Sequence, residues 1–177
     1  MKYVVLLSVL FYCKHNIAHG DAATSTSFSE YPAADTMTGS LALPRISNAQ
    51  ERRFKTELTR AITKGYDVVD GGTEHSRIGP NFAGRYVLVQ WGCGSNCMQA
   101  AMINGKDGSV LRLPQIPGEK LGNLAYFSIP TGSTNQGTLE FRWNSTLLGI
   151  PRVADGMTYY YALTGHHWRF INTTRTP

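Results

Sequence analysis

The chain has 177 residues and a formal net charge of +5, with 42 % hydrophobic and 16 % charged residues, a length that holds about one domain with one sizeable core. This composition excludes a disordered chain, and no internal apolar run is long enough to span a membrane. Eighteen Gly, eight Pro, three Trp, nine Tyr and seven Phe favour a β-rich architecture with many turns over a helical bundle.

Residues 1 to 20 have the layout of a secretory signal peptide. Met1 and Lys2 lead into an apolar run from Tyr3 to Cys13, and a polar stretch ends at Ala18-His19-Gly20, a small-residue cleavage site before Asp21. Phe11 and Tyr12 precede Cys13, with no small residue among them, which favours a freely soluble product over a lipid-anchored one. An uncleaved leader would instead tether the same domain to a membrane. Cleavage removes Lys2 and Lys14 and makes the basic excess mild. That excess is concentrated in Arg45, Arg52, Arg53, Lys55, Arg60, Lys64, Arg77 and Arg85. Such a stretch suits an anionic polymer or an acidic protein. Nucleic acid is not expected as a partner, because no aromatic-interleaved motif accompanies it. A solvated helix face is the simpler use of most of these charges.

Residues 21 to 45 are rich in Ser and Thr, with Pro32 and Pro44 and no apolar period, and read as a flexible linker to a single domain over residues 46 to 177. One helix is predicted from Asn48 to Lys64. Asn48 caps it, Glu51 reaches back to the cap's amide, and Phe54, Leu58, Ala61 and Ile62 share a face. Gly65 supplies the left-handed stop. Residues 70 to 81 read as a Gly-rich loop. Short runs rich in β-branched and aromatic residues then predict strands at 85–91, 98–103, 109–113, 124–129, 138–143, 146–152, 158–163 and 167–171. Short connections favour antiparallel hairpins. The expected fold is α+β, with an N-terminal helix packed on a mainly antiparallel sheet or small barrel of about six to eight strands.

Trp91-Gly92-Cys93-Gly94-Ser95-Asn96-Cys97 is the sharpest local feature. Two cysteines in a tight turn of an exported chain are most simply a structural disulfide that fixes turn geometry. A catalytic thiolate, a redox pair or half of a zinc site are the other readings. The first needs a base nearby, the second departs from C-x-x-C, and the third needs further ligands that the adjacent His166 and His167, pointing to opposite faces of a strand, do not readily supply. No metal, cofactor or catalytic residue is therefore assigned. Asp70, Glu74, His75 and Arg77 in the Gly-rich loop, Ser95 and Asn96 in the cysteine turn, and His166 and Trp168 near the C-terminus are the candidate binding residues, on the ground that loops held by a sheet carry function. Asn144-Ser145-Thr146 and Asn172-Thr173-Thr174 fit the glycosylation acceptor pattern, which matters only in a eukaryotic source.

At Pro80-Asn81-Phe82-Ala83-Gly84-Arg85-Tyr86 and Val89-Gln90-Trp91-Gly92-Cys93-Gly94 with Cys97, the chain resembles a group of small exported bacterial proteins, most of them without a characterised activity. The group shares an arginine-rich helix, an N-F-A-G-x-Y segment, a strand into W-G-C-G-x-x-C and a hairpin with a Leu-Pro end, here Met102 to Pro114. Trp143 to Gly149 and the aromatic hairpin from Tyr159-Tyr160-Tyr161 to Trp168-Arg169-Phe170 extend the likeness, which covers roughly residues 48 to 171. The loop at 67 to 79 departs from the group's short link. The resemblance implies a bacterial envelope location and a single domain, and it carries no activity.

The expected function is an exported, periplasmic or secreted binding module of inhibitor, immunity or accessory type, not an enzyme. Its partner would be another envelope or secreted protein, or an anionic cell-wall polymer. One alternative is a small hydrolase or thiol enzyme using Cys93 or Cys97 with His166 or His167, or acidic groups from Asp67, Asp70 and Glu74. The other is a cell-wall glycan binder using exposed aromatics and the basic helix.

Overall fold

A computed structural model describes residues 26–70, 73–94, 97–116, 125–128, 139–152 and 155–175, with the side chains of 66–76, 93–98 and 125–128 outside that description. The expected signal peptide also lies outside it. The described chain is mostly antiparallel sheet with little helix.

The centre is the hairpin of β3 (Tyr86–Gly94) and β4 (Cys97–Asn104), with Tyr86 opposite Asn104 and Val89 opposite Ala101. Its period-2 alternation divides the apolar residues between two faces. Tyr86, Leu88, Ala100 and Met102 enter one buried cluster; Val87, Val89, Ala101 and Ile103 enter another. The far edge of β4 is shared by β6 (Ala125–Ser128), which pairs with Cys97 to Ala100, and β5 (Val110–Leu111), which pairs with Met102 and Ile103.

A second sheet has the order β10-β9-β8-β7, from β7 (Glu140–Phe141), β8 (Leu147–Arg152), β9 (Met157–Thr164) and β10 (His167–Arg175). Leu148 and Ile150 of β8 and Tyr161 and Leu163 of β9 join Tyr86, Leu88, Ala100 and Met102 in one cluster. The two sheets therefore bury a common apolar face. Among the described residues the strands form open sheets and no closed barrel, which corrects that half of the expected architecture. Gly165, at φ +62, takes the first place of the two-residue β9–β10 turn, where a type II′ turn demands positive φ.

The helix expected over 48 to 64 is two pieces, α1 (Ala49–Arg53) and α2 (Lys55–Thr63). Phe54, at φ −108 and ψ 19, interrupts them, its N–H bonding three residues back to Glu51 O. Its ring lies 5.4 Å from that of Trp91. Asn48 Oδ1 accepts from Glu51 N at 2.9 Å as expected of a cap. Glu51, however, reaches past the cap's backbone N–H: one oxygen accepts from Ser47 N–H at 2.6 Å and its hydroxyl at 2.8 Å, and the other accepts from the Asn48 side-chain amide at 2.6 Å. Leu58, Ala61 and Ile62 belong to the cluster of Val87, Val89, Ala101 and Ile103.

Two further segments depart from expectation. The stretch 70 to 81, read as a Gly-rich loop, includes the strand β2 (Thr73–Arg77), which forms a hairpin with β1 (Tyr66–Asp70) just before it, Asp70 opposite Thr73. With these two, ten strands are described where about six to eight were expected. Over its described part, the segment read as a flexible linker is hydrogen-bonded along the domain. Ala33 N donates to Asn144 O at 2.9 Å, Met37 N to Gly84 O at 2.8 Å, Ala42 N to Gly105 O at 2.8 Å and Arg45 N to Gly108 O at 2.7 Å. This strap crosses both sheets' connections and makes a parallel bridge from Arg45 to Ser109.

Candidate functional site

The segment Asn81 to Tyr86 is built mainly for structure. The buried Asn81 amide donates to Leu88 O at 2.8 Å and accepts from Leu88 N at 2.7 Å, so a side chain completes what a neighbouring strand would supply. Phe82 is fully buried and stacks on Trp168 at 5.9 Å. Ala83 (φ +46) and Gly84 (φ +72) are both left-handed, and a Cβ on Gly84 would collide with the Asp35 carbonyl. Arg85 alone in this segment carries charge, and it reaches the surface.

There a cleft of about 310 Å³ opens between the strap (Pro32, Ala34, Asp35), the turn (Ala83, Arg85, Tyr86) and the end of the second sheet (Thr146, Leu163, Thr164, Gly165). Arg85 Nη2 donates to Tyr86 Oη at 2.9 Å, and the guanidinium lies 5.0 Å from that ring's centroid. Tyr86 Oη donates in turn to Gly165 O at 3.4 Å. Across the cleft mouth Asp35 Oδ2 meets Lys106 Nζ at 2.6 Å and Arg85 Nη1 at 3.5 Å. The hydrogen bond and charge of Lys106, more than Arg85, hold the Asp35 carboxyl below the usual carboxylate range.

The sequence candidates do not converge here. Asp70, Glu74, His75 and Arg77 lie on the β1–β2 hairpin instead of a loop, in register with Thr73, Val69, Val68 and Tyr66. Ser95 and Asn96 fall outside the described residues, as do the side chains of Cys93 and Cys97. The backbone of Cys93 and Cys97 lies at the far end of the β3–β4 hairpin, with Gly94 opposite Cys97 and a register shift between Gly92 and Gly94. His166 is exposed in the β9–β10 turn, and His167 is exposed beside it. Trp168 is committed to structure: its Nε1 donates to Arg112 O at 2.8 Å and its ring covers Phe82. Because Gly165 touches the Tyr86 end of β3, Cys93 sits seven residues further along that strand, on the order of 20 Å away at the usual strand rise. The thiols and His166 or His167 are thus not brought together. Among the described residues no three His, Cys, Asp or Glu side chains gather as a metal site, and no helix is long and apolar enough to cross a membrane.

The basic stretch is also divided. Arg85 belongs to the cleft, whereas Arg52, Arg53, Lys55, Arg60 and Lys64 are exposed on α1, α2 and the residue that ends α2. A shallow trough of about 510 Å³ runs over Lys55, Thr56, Thr59, Arg60, Thr63 and Lys64. Of the two acids on these helices, Glu51 is buried in the Ser47–Asn48 cap and Glu57 is half-buried. Among the described residues none of the five cations makes an ion pair, and the Arg53 guanidinium lies 5.4 Å above the Phe54 ring.

Sequence reasoning found the basic face but missed Asp35, Lys106 and Gly165. The one local signal for the cleft was Arg85, a lone charge in a small and apolar motif. Compared with models of protein families, with curated proteins and with solved structures, the chain matches none.

Proposed function

We propose that the protein is an exported binding module, without catalytic activity of its own, that docks on an acidic partner protein of the bacterial envelope or the secreted fraction through α1 and α2. The observation that carries this reading is the exposed set Arg52, Arg53, Lys55, Arg60 and Lys64, which makes no ion pair among the described residues. Clustered like charges raise the local potential, speed encounter with an oppositely charged surface and select against basic ones. We read α2 as an outer layer docked on the β3–β4 hairpin; the shared cluster of Leu58, Ala61 and Ile62 with Val87 and Ile103 supports this. Such a layer leaves the cationic side chains free to engage a partner. The signal-peptide layout and the motifs shared with small exported proteins support the location. In that location Cys93 and Cys97 would close the β3–β4 hairpin as a disulfide.

The test is capture from envelope and secreted fractions, with the wild-type protein beside the variant Lys55→Glu/Arg60→Glu/Lys64→Glu. Retention of one stoichiometric acidic protein by the wild type and its loss from the variant are expected. Equal retention by both would refute the assignment of this face. Retention of isolated cell wall instead of a protein would transfer the face to an anionic polymer.

A further inference from the structure

We infer that the cleft at Arg85 is a binding site for a small monocarboxylate. This site is independent of the helical face and does not rest on the function proposed for it. Arg85 is held ready by Tyr86 on one side: its guanidinium carbon lies 5.0 Å from the ring's centroid and the hydroxyl accepts from Nη2 at 2.9 Å. On the other side its contact with Asp35 is 3.5 Å, at the outer limit of a hydrogen bond, because the same Oδ2 is already engaged by Lys106 at 2.6 Å. A guanidinium has five N–H donors in a planar fork. Most of that capacity is uncommitted among the described residues.

The electrostatics give the ligand's charge. Two cations, Arg85 and Lys106, share the one carboxylate of Asp35, so among the described ion pairs the cluster carries one excess positive charge. A single carboxylate neutralises it and matches the fork in two parallel bonds. The walls give the ligand's body. Pro32, Ala34, Ala83 and Leu163 supply apolar surface and Thr146 and Thr164 supply hydroxyls, around about 310 Å³. That is the lower end of the range for small-molecule sites, enough for a short aliphatic acid or the last residues of a peptide.

The two sources of the same headgroup are separated by probe. Full-length protein is titrated with butyrate and with N-acetyl-Ala-Ala, each beside its uncharged amide, and the Arg85 Nε and the Ala83 and Gly165 amide resonances are followed. Saturable shifts with at least one acid and none with either amide are expected. Saturation by butyrate would point to free acids, and saturation by the dipeptide alone would point to a peptide C-terminus. Arg85→Lys should weaken binding about tenfold or more, since an ammonium cannot make the paired contact, and Arg85→Gln should abolish it with the amide spectrum of the folded protein retained. No saturable shift up to about 50 mM acid, weaker than any millimolar site, would overturn the inference. Shifts unchanged by Arg85→Gln, or equal for acids and amides, would overturn it as well.

Discussion

The Asn81 side chain brackets Leu88, donating to its carbonyl at 2.8 Å and accepting from its N–H at 2.7 Å, with both bonds buried. The pair fixes where β3 begins and which of its faces meets the second sheet. Asn81→Ala leaves a buried donor and a buried acceptor without partners, so a loss of about 2–4 kcal/mol is expected. Asn81→Asp keeps the acceptor and loses the donor, and it should be no better tolerated. Urea unfolding of the three proteins measures both.

Gly84 and Ala83 respond oppositely to substitution. Gly84→Ala must place a Cβ against the Asp35 carbonyl at a φ of +72, costing about 1–3 kcal/mol from the backbone alone and loosening the strap. Ala83→Gly relieves a left-handed alanine at φ +46 and should be neutral or stabilising by up to about 1 kcal/mol. A thermal midpoint that falls for both variants would contradict the turn geometry described.

Ser145 ties the strap to the second sheet. Its hydroxyl lies 2.9 Å from the carbonyl oxygens of both Phe28 and Tyr31 and accepts from Leu147 N at 3.2 Å. Ser145→Ala should cost about 1–3 kcal/mol. Limited proteolysis should then cut between residues 26 and 36 faster than in the wild type, with the rest of the chain protected.

Two groups give opposite pH signatures. Lys106 depresses the Asp35 carboxyl below its ordinary 3.8, so its contribution is present above that value and fades as pH falls through the lower folded value. The stability gap between wild type and Asp35→Asn should be seen at about pH 6, narrow as pH falls below 3.8, and shrink in salt because the pair is exposed. Burial first, and then the Glu140 carboxylate 2.6 Å away, push the Tyr160 hydroxyl up to about 12 from 10.0. The neutral, folded form is therefore favoured until pH rises through that range, and stability should fall between about pH 10 and 12. Tyr160→Phe should remove a late-titrating phenol from the ultraviolet titration.

The sheets were legible because their signals are local. The eight runs expected as strands, from Arg85 to Ile171, each overlap one of the strands β3 to β10, where alternation and turn residues act over a few neighbours. Gly65 marked the helix end, and its φ of +88 against the Arg77 carbonyl shows why glycine is needed. Gly71-Gly72 between Asp70 and Thr73 was a two-residue hairpin signal, read as a loop because the flanking runs are polar. The strap was illegible for another reason. Met37, Ala42 and Arg45 are bound through backbone N–H groups that every residue but proline carries, so no side chain announces them. The cleft unites residues 35, 85, 106 and 165, whose proximity exists only after both sheets have formed.

The cationic face of α1 and α2 is proposed to make the contact with an acidic partner. The most direct test of that contact is the affinity for the captured protein over a range of salt, for the wild type and for Arg60→Gln/Lys64→Gln. Binding should weaken with salt, and the variant should bind less tightly at low salt and depend less steeply on it. An affinity and a salt dependence that the double substitution leaves unchanged would contradict the proposal.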